Sequence, residues 1–323
     1  MSQLRESEAR ATEERPGRID ATPVRHPLRW VAVAVIALLV AMFVNMVLTN
    51  EAFNWPFVWE AMQQSPVLEG LWKGTVLVTA LAMVVGISGG VILAVMRLSP
   101  NPVLSSVAWV FTWFFRSVPR LVLLTTMGAL GILFQKGLSF GFPFGQQLMG
   151  LFGIDANLTF LTLDANEVFA GIAGGVIGLG LSEAAYMAEI ARAGILSVDK
   201  GQAEAAEAIG MSGGQTMRRI VLPQAMRVIV PPTGNETIAM VKDTSLLIGL
   251  PLSTELFYQL QSIGSRTYQV FPAFVAAILF YLVITSVFMV GQYFLERRFG
   301  RGFGQPSESN GKVARLLGRG AAH

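Results

Sequence analysis

Along this chain the sequence repeatedly runs for about 20 residues with few ionisable side chains, the length a helix needs to cross a hydrocarbon core of about 30 Å. Such runs cover residues 30–48, 72–96, 103–134, 167–195, 228–256 and 271–294. Lipid cannot satisfy backbone polar groups, so only helices and closed barrels span a bilayer, and a barrel would show short alternating segments instead. Composition points the same way, with 53% of residues hydrophobic and 14% charged. The sequence therefore predicts an all-α polytopic membrane protein of about six transmembrane helices. There is no Cys, and His26 and His323 lie in the hydrophilic ends. Neither a thiol nucleophile nor a metal site has side chains to build on.

Between the runs, residues 1–27 mix Arg5, Arg10, Arg15, Arg18 and Arg25 with Glu6, Glu8, Glu13, Glu14 and Asp20. They hold little to bury, as expected of a disordered tail, and residues 303–323 read as a second one. The run at 30–48 is long, starts late and lacks a small-x-small cleavage site, so residues 28–69 are read as a retained N-terminal span with its following loop. Ser99-Pro100-Asn101-Pro102 is a helix boundary, and the Gly- and Phe-rich stretch 135–166 suits a loop at the membrane interface. Short cytoplasmic loops retain Lys and Arg. One side carries Arg97, Lys200, Arg218, Arg219, Arg227, Arg297, Arg298 and Arg301 besides the N-terminal arginines; the other has Lys73, Lys136 and Arg266. Both termini and the 196–227 segment are thus expected in the cytoplasm, which leaves the loop of 28–69 outside it. Gly86 with Gly90, Gly171 with Gly175 and Gly174 with Gly178 are spaced to let helices approach closely. No G-x-x-x-x-G-K-[ST] loop occurs, so any nucleotide hydrolysis must come from a partner.

Within 196–227, Glu204-Ala205-Ala206-Glu207-Ala208-Ile209-Gly210 starts with strong helix formers and stops at Gly. A second short helix is expected from Met211 to Leu222, grouping Met217, Ile220 and Val221 on one face, with Pro223 marking the next turn. Two short helices joined at a Gly make a compact knob on two spans. Spacing alone leaves two readings open: a docking element, or a solvated, lipid-facing hairpin.

The run EAAEAIGMSGGQTMRRIVLP fits E-A-A, three residues, G, nine residues, I-x-L-P, and so resembles the signature of ABC (ATP-binding-cassette) importer permeases. AAYMAEIARAGILSVDKGQAEAA, LPQAMRVIVPPTGNETIAMVKDTSLL and LERRFGRG resemble permeases for polar amino acids. The likeness covers residues 70–302. It implies a type I importer permease fold, with five core helices plus one N-terminal helix. It also implies that Glu204, Ala205, Ala206, Gly210, Ile220, Leu222 and Pro223 form a loop that seats in a cleft of an ATPase subunit. The partners it implies are two cytoplasmic ABC ATPase subunits carrying ATP and Mg, a second permease chain (identical or not), and an extracytoplasmic amino-acid-binding protein. The chain itself would bind no cofactor, touch lipid and no nucleic acid, and sit in the cytoplasmic (inner) membrane of a bacterium. Against that pattern Val118 and Arg120 stand for the usual Thr and Leu, Leu123 for Gln, Asp243 for Asn, and Glu183 for Ser or Thr, while the 135–166 loop is longer than usual.

Ionisable groups at membrane depth are functional candidates. Glu183, Tyr186 and Glu189 recur every three residues, with Arg192 beyond, and Glu189 with Arg192 is expected to pair. Glu183 either packs between helices or faces a cavity and meets a cationic group of the substrate. Asn235, Glu236, Lys242 and Asp243 interrupt the fifth run and either line a path or pair across helices. Arg116 and Arg120 are expected to snorkel to lipid phosphates, with pairing to acids on other spans as the alternative. The rival to an ABC permease is an ion-coupled secondary amino-acid transporter, with Glu183 and Glu236 as coupling sites.

Overall fold

The computed structural model describes residues 27–135, 137–142, 149–150, 159–250 and 252–299. The expected tails, apart from residue 27, and much of the 135–166 loop lie outside the described residues. The chain separates into two compact units, Met1–Phe53 and Asn54–His323. Within the first unit, α1 (Pro27–Thr49) is a single helix with no charged side chain after Arg29.

The second unit begins at Asn54. Its first helix, α2 (Trp55–Gln63), follows Asn54, whose φ of 40° places it in the left-handed region that Asn tolerates. Asn54 donates through Nδ2 to Gln269 Oε1 at 3.2 Å, tying this entry to the start of the last helix. Next comes α3 (Ser65–Leu98), the longest apolar helix, which passes through a wide π turn at Gly70–Val76. Its C-terminus falls at the Ser99–Pro102 turn, where the Asn101 side chain accepts from the Val103 N–H.

The expected third span is broken. Helices α4 (Pro102–Ser117) and α5 (Arg120–Leu133) meet at 101° because Val118 precedes a proline and is extended, with ψ of 126°. Two short antiparallel strands, β1 (Leu138–Gly141) and β2 (Thr159–Leu163), then pair with Leu138 opposite Leu163, where the sequence led us to expect only loop. After α6 (Ala165–Phe169), helix α7 (Gly171–Leu196) runs through the middle of the unit.

Helices α8 (Lys200–Ala208) and α9 (Gly213–Thr216) follow, and a second π turn, Met217–Val221, leads without a break into α10 (Leu222–Asp243). Pro223 does not mark a turn, contrary to the sequence reading. It sits in the first turn of α10, where proline's missing N–H costs least. The fifth run also ends earlier than expected, at Asp243, in a 3₁₀ turn at Thr244–Gly249. Helices α11 (Leu256–Thr267) and α12 (Val270–Phe299) complete the unit.

Among the described residues, four helices are long and apolar enough to cross a membrane: Leu28–Thr49, Ser65–Leu98, Gly171–Leu196 and Val270–Phe299. The bent pair α4–α5 would make a fifth. Helix α10 has 22 residues, long enough to cross, but Asn235, Glu236, Lys242 and Asp243 make it too polar to belong to this set. Outward faces of α3 and α12 expose Val84, Val91, Ile92, Leu282, Val283 and Val287, an apolar surface suited to lipid.

The principal core joins Val78 and Ala82 of α3, Leu124 of α5, Leu179 of α7, Met240 of α10 and Leu247 of the 3₁₀ turn. Helices α3 and α7 approach closely because glycines remove the side chains between them. A Cβ on Gly86 would stand 2.5 Å from Glu183 Cγ, and one on Gly90 would collide with Met187. Gly178 faces Leu124 and Gly174 the Phe169 carbonyl. Gly171, which the sequence paired with Gly175 as a packing residue, instead has φ of 63° and open space around it, so its role is conformational.

Candidate functional site: an exposed knob and a buried ionic cluster

The knob is built from local signals. Asp199 caps α8 by accepting from the Gly201 N–H at 2.7 Å. At the other end Gly210, with φ of 83°, turns the chain. Its N–H bonds Glu207 O, and the Met211 N–H bonds Ala206 O, which is the double closure of a Schellman motif. Ser212 then opens α9 with a capping box, in which its own N–H donates to Gln215 Oε1 at 3.0 Å. Ala206, Thr216, Val221 and Ala225 are buried.

Glu204, Ala205, Gly210, Leu222 and Pro223 are exposed and Ile220 is half-buried. The apolar face expected from Met217, Ile220 and Val221 is split, with Met217 exposed and Val221 buried. The π turn changes the angle between successive side chains, which a regular helical count does not anticipate. Ile209 is 79% exposed at the tip, and Met217, Leu222 and Met226 are exposed nearby. The knob thus presents unpaired apolar surface together with carboxylates, on a rigid base.

Inside the helical bundle, sequence-distant groups converge. Arg120 stands at the first position of α5, just past the bend. Its Nη2 donates to Glu183 Oε2 at 2.9 Å, and its Nη1 donates to Asp243 Oδ2 at the end of α10. The guanidinium lies over the Tyr186 ring, 4.8 Å from the centroid, and Arg116 lies over the same ring at 5.5 Å. Glu183 is fully buried, and its Oε1 has no hydrogen-bond partner. Arg120 therefore does not snorkel as expected. Two carboxylates on other helices offer it more than a distant lipid phosphate can, and the bend at Ser117–Pro119 aims it inwards.

Of the residues singled out in the sequence for a substrate path, the structure joins Glu183, Tyr186 and Asp243. Asn235 and Lys242 are exposed and Glu236 is half-buried, and no hydrogen bond or ion pair ties these three to the cluster. Below Tyr186, the expected Glu189–Arg192 pair forms at 2.9 Å, and Arg97 adds a longer contact to Glu189 at 3.7 Å. These groups, with Trp109, Trp113 and Arg116, line an open cavity of about 470 Å³.

Sequence reasoning missed one further buried carboxylate. Glu255 caps α11 by accepting from the Tyr258 N–H at 3.0 Å, and also accepts from Tyr281 OH at 2.8 Å and Thr75 Oγ1 at 3.2 Å. Its signal was present as an acidic residue at a helix N-terminus, but the three donors come from α3, α11 and α12, which no local pattern joins.

A bundle of apolar helices with an ionic cluster in its interior and a capped, exposed knob on one loop suits a membrane transport subunit. The chain belongs to the family described as the binding-protein-dependent transport system inner membrane component, whose profile matches residues 86–301. It is 43% identical over 303 residues, 94% of this chain and 89% of the relative, to an arginine transport system permease protein of Corynebacterium glutamicum. It is 33% identical over 229 residues, 70% of this chain and 91% of the relative, to a probable glutamine ABC transporter permease protein of Bacillus subtilis. Among solved structures it is similar to an amino acid ABC transporter crystallised with histidines, at 29% identity and a TM-score of 0.55, covering 72% of this chain and 94% of that one. The ABC-permease reading of the sequence is thereby supported, and the ion-coupled alternative is not.

Proposed function

We propose that this chain is the membrane-spanning subunit of an ATP-driven importer that carries a polar amino acid across a bacterial cytoplasmic membrane. The observation that carries the coupling half of this reading is the knob. It is a Schellman-terminated helix and a capped second helix on a continuous path into α10, with Ile209, Glu204 and Ala205 exposed at its surface. A rigid handle of this kind transmits a push from a docked protein to the bundle, whereas a flexible loop would absorb it. The likenesses to arginine and glutamine permeases support an amino-acid cargo.

In this reading two cytoplasmic ATPase subunits hold ATP and Mg and grip one knob each, from this chain and from a second permease chain. An extracytoplasmic binding protein delivers the amino acid to the outward face. ATP binding draws the knobs together and opens the path outwards, and hydrolysis returns it inwards. This chain supplies the path and the handle. Both termini and the knob lie on the cytoplasmic side, as the distribution of Lys and Arg supports.

The test is co-purification of the chain with its ATPase from detergent. Gly210→Asp and Glu204→Lys, both at exposed positions, are expected to abolish capture while the variants stay folded in the membrane. Wild-type protein that retains no ATPase under any nucleotide condition would refute the reading.

A further inference from the structure

Arg120, Glu183 and Asp243 are far apart in sequence and meet at one point in space. Two carboxylates bond a single guanidinium, with Arg116 over the Tyr186 ring and Glu236 near enough to act on Glu183 electrostatically. One carboxylate oxygen, Glu183 Oε1, is buried and accepts no hydrogen bond, so Arg120 does not saturate the acceptors around it. The Tyr186 ring supplies an aromatic face under the cation. Arg116 shares that ring but is bonded to neither carboxylate. Arg120 keeps 12% of its side chain exposed and Asp243 28%, so the cluster is reached from their side while Glu183 forms its floor. Two acids, one ring face and a spare acceptor are what a guanidinium or ammonium group binds.

We propose that Glu183, Asp243 and Tyr186 form a cation cage for the side chain of a cationic amino acid, and that Arg120 is a tethered occupant which the substrate displaces. This deepens the transport reading above and rests on it for the identity of the cargo. Arg120 is one long side chain beyond a bend, so it can leave by rotating about its own bonds without moving a helix. While the path is empty it keeps two carboxylates from standing unpaired in a low-dielectric interior. When a substrate guanidinium arrives, one cation replaces another, so the two carboxylates keep a cationic partner at both stages. Arg120 thereby sets specificity, because a neutral amino acid cannot compensate the carboxylates that Arg120 would abandon.

The test uses the full chain with Arg120→Ala and Arg120→Lys. Arg120→Ala empties the cage, so low-millimolar guanidinium chloride is expected to raise its melting temperature above a sodium chloride control, while wild type does not respond. Adding Glu183→Gln is expected to remove that response, which a merely structural ion pair would not predict. Arg120→Lys keeps the charge, but an ammonium does not span two carboxylates as a guanidinium fork does. In proteoliposomes with the binding protein and ATPase, the KM for arginine is expected to fall about tenfold relative to that for glutamine, the equivalent of one charge-assisted hydrogen bond. Failure of either arm overturns the proposal, as does a wild type that carries neutral amino acids and no cationic one. Should Arg120→Ala not fold, the uptake arm decides by itself. The melting arm needs no ATPase, so failure of the coupling reading and failure of the cage are told apart.

Discussion

Glycine and one carboxylate carry much of the interior. A Cβ on Gly86 meets the aliphatic part of Glu183, so Gly86→Val would push α3 away from α7 at the floor of the ionic cluster. We expect a loss of about 1–3 kcal/mol, the usual cost of overpacking, read as a lower melting temperature in detergent. Gly171→Ala meets no neighbour, and any loss there comes from its positive φ alone. Glu255 makes the opposite kind of prediction, because its worth lies in what it accepts. Glu255→Ala strips an acceptor from Tyr281, Thr75 and the Tyr258 N–H. Each buried donor left unsatisfied costs about 1–3 kcal/mol, so this variant should be among the most destabilised, with Glu255→Gln milder because it keeps one acceptor oxygen.

At the scale of elements, the knob and the bend between α4 and α5 are decided by backbone conformation. Gly210 has open space around it, so a side chain there clashes with nothing, yet its φ of 83° is costly for any residue with a Cβ. Gly210→Ala should cost roughly 1 kcal/mol within the knob. The expected signature is faster amide exchange over residues 200–221 with the melting temperature of the whole chain hardly changed. Gly210→Asn should recover most of the loss, since Asn tolerates the left-handed region. A global drop in melting temperature would show that the strain at Gly210 is not confined to the knob. The π turn at Met217–Val221 shows the limit of pattern reading. The residues of that stretch looked like one more amphipathic turn, and the wider turn rotated Val221 inwards and Met217 outwards.

For the molecule as a whole, the absence of cysteine provides a direct test of orientation. Single cysteines at Ser99 and Ser212 should react with a membrane-impermeant maleimide only after the cells are opened. A cysteine at Ser265, exposed near the end of α11, should react in intact cells. Labelling of Ser212→Cys from outside would invert the topology and remove the knob from the reach of any cytoplasmic ATPase.

The sequence by itself determined the class of the molecule, because apolar run length is set by bilayer thickness and needs no tertiary information. It also determined where α8 stops, because helix formers and a stop glycine act over a few residues. It marked Glu183, Tyr186 and Asp243 as unusual at membrane depth, and it gave Glu189 its partner Arg192, one helical turn away. Only the tertiary structure decided where Arg120 goes. Its choice between lipid phosphate and buried carboxylates depends on the bend at Pro119 and on two acids lying 63 and 123 residues further along the chain. The same holds for Glu255, whose donors Thr75 and Tyr281 lie 180 residues before it and 26 after it. Local signals fix helices because their hydrogen bonds close within four residues, whereas a buried charge is stabilised by whatever partners the fold carries to it, and no spacing in the sequence encodes that distance.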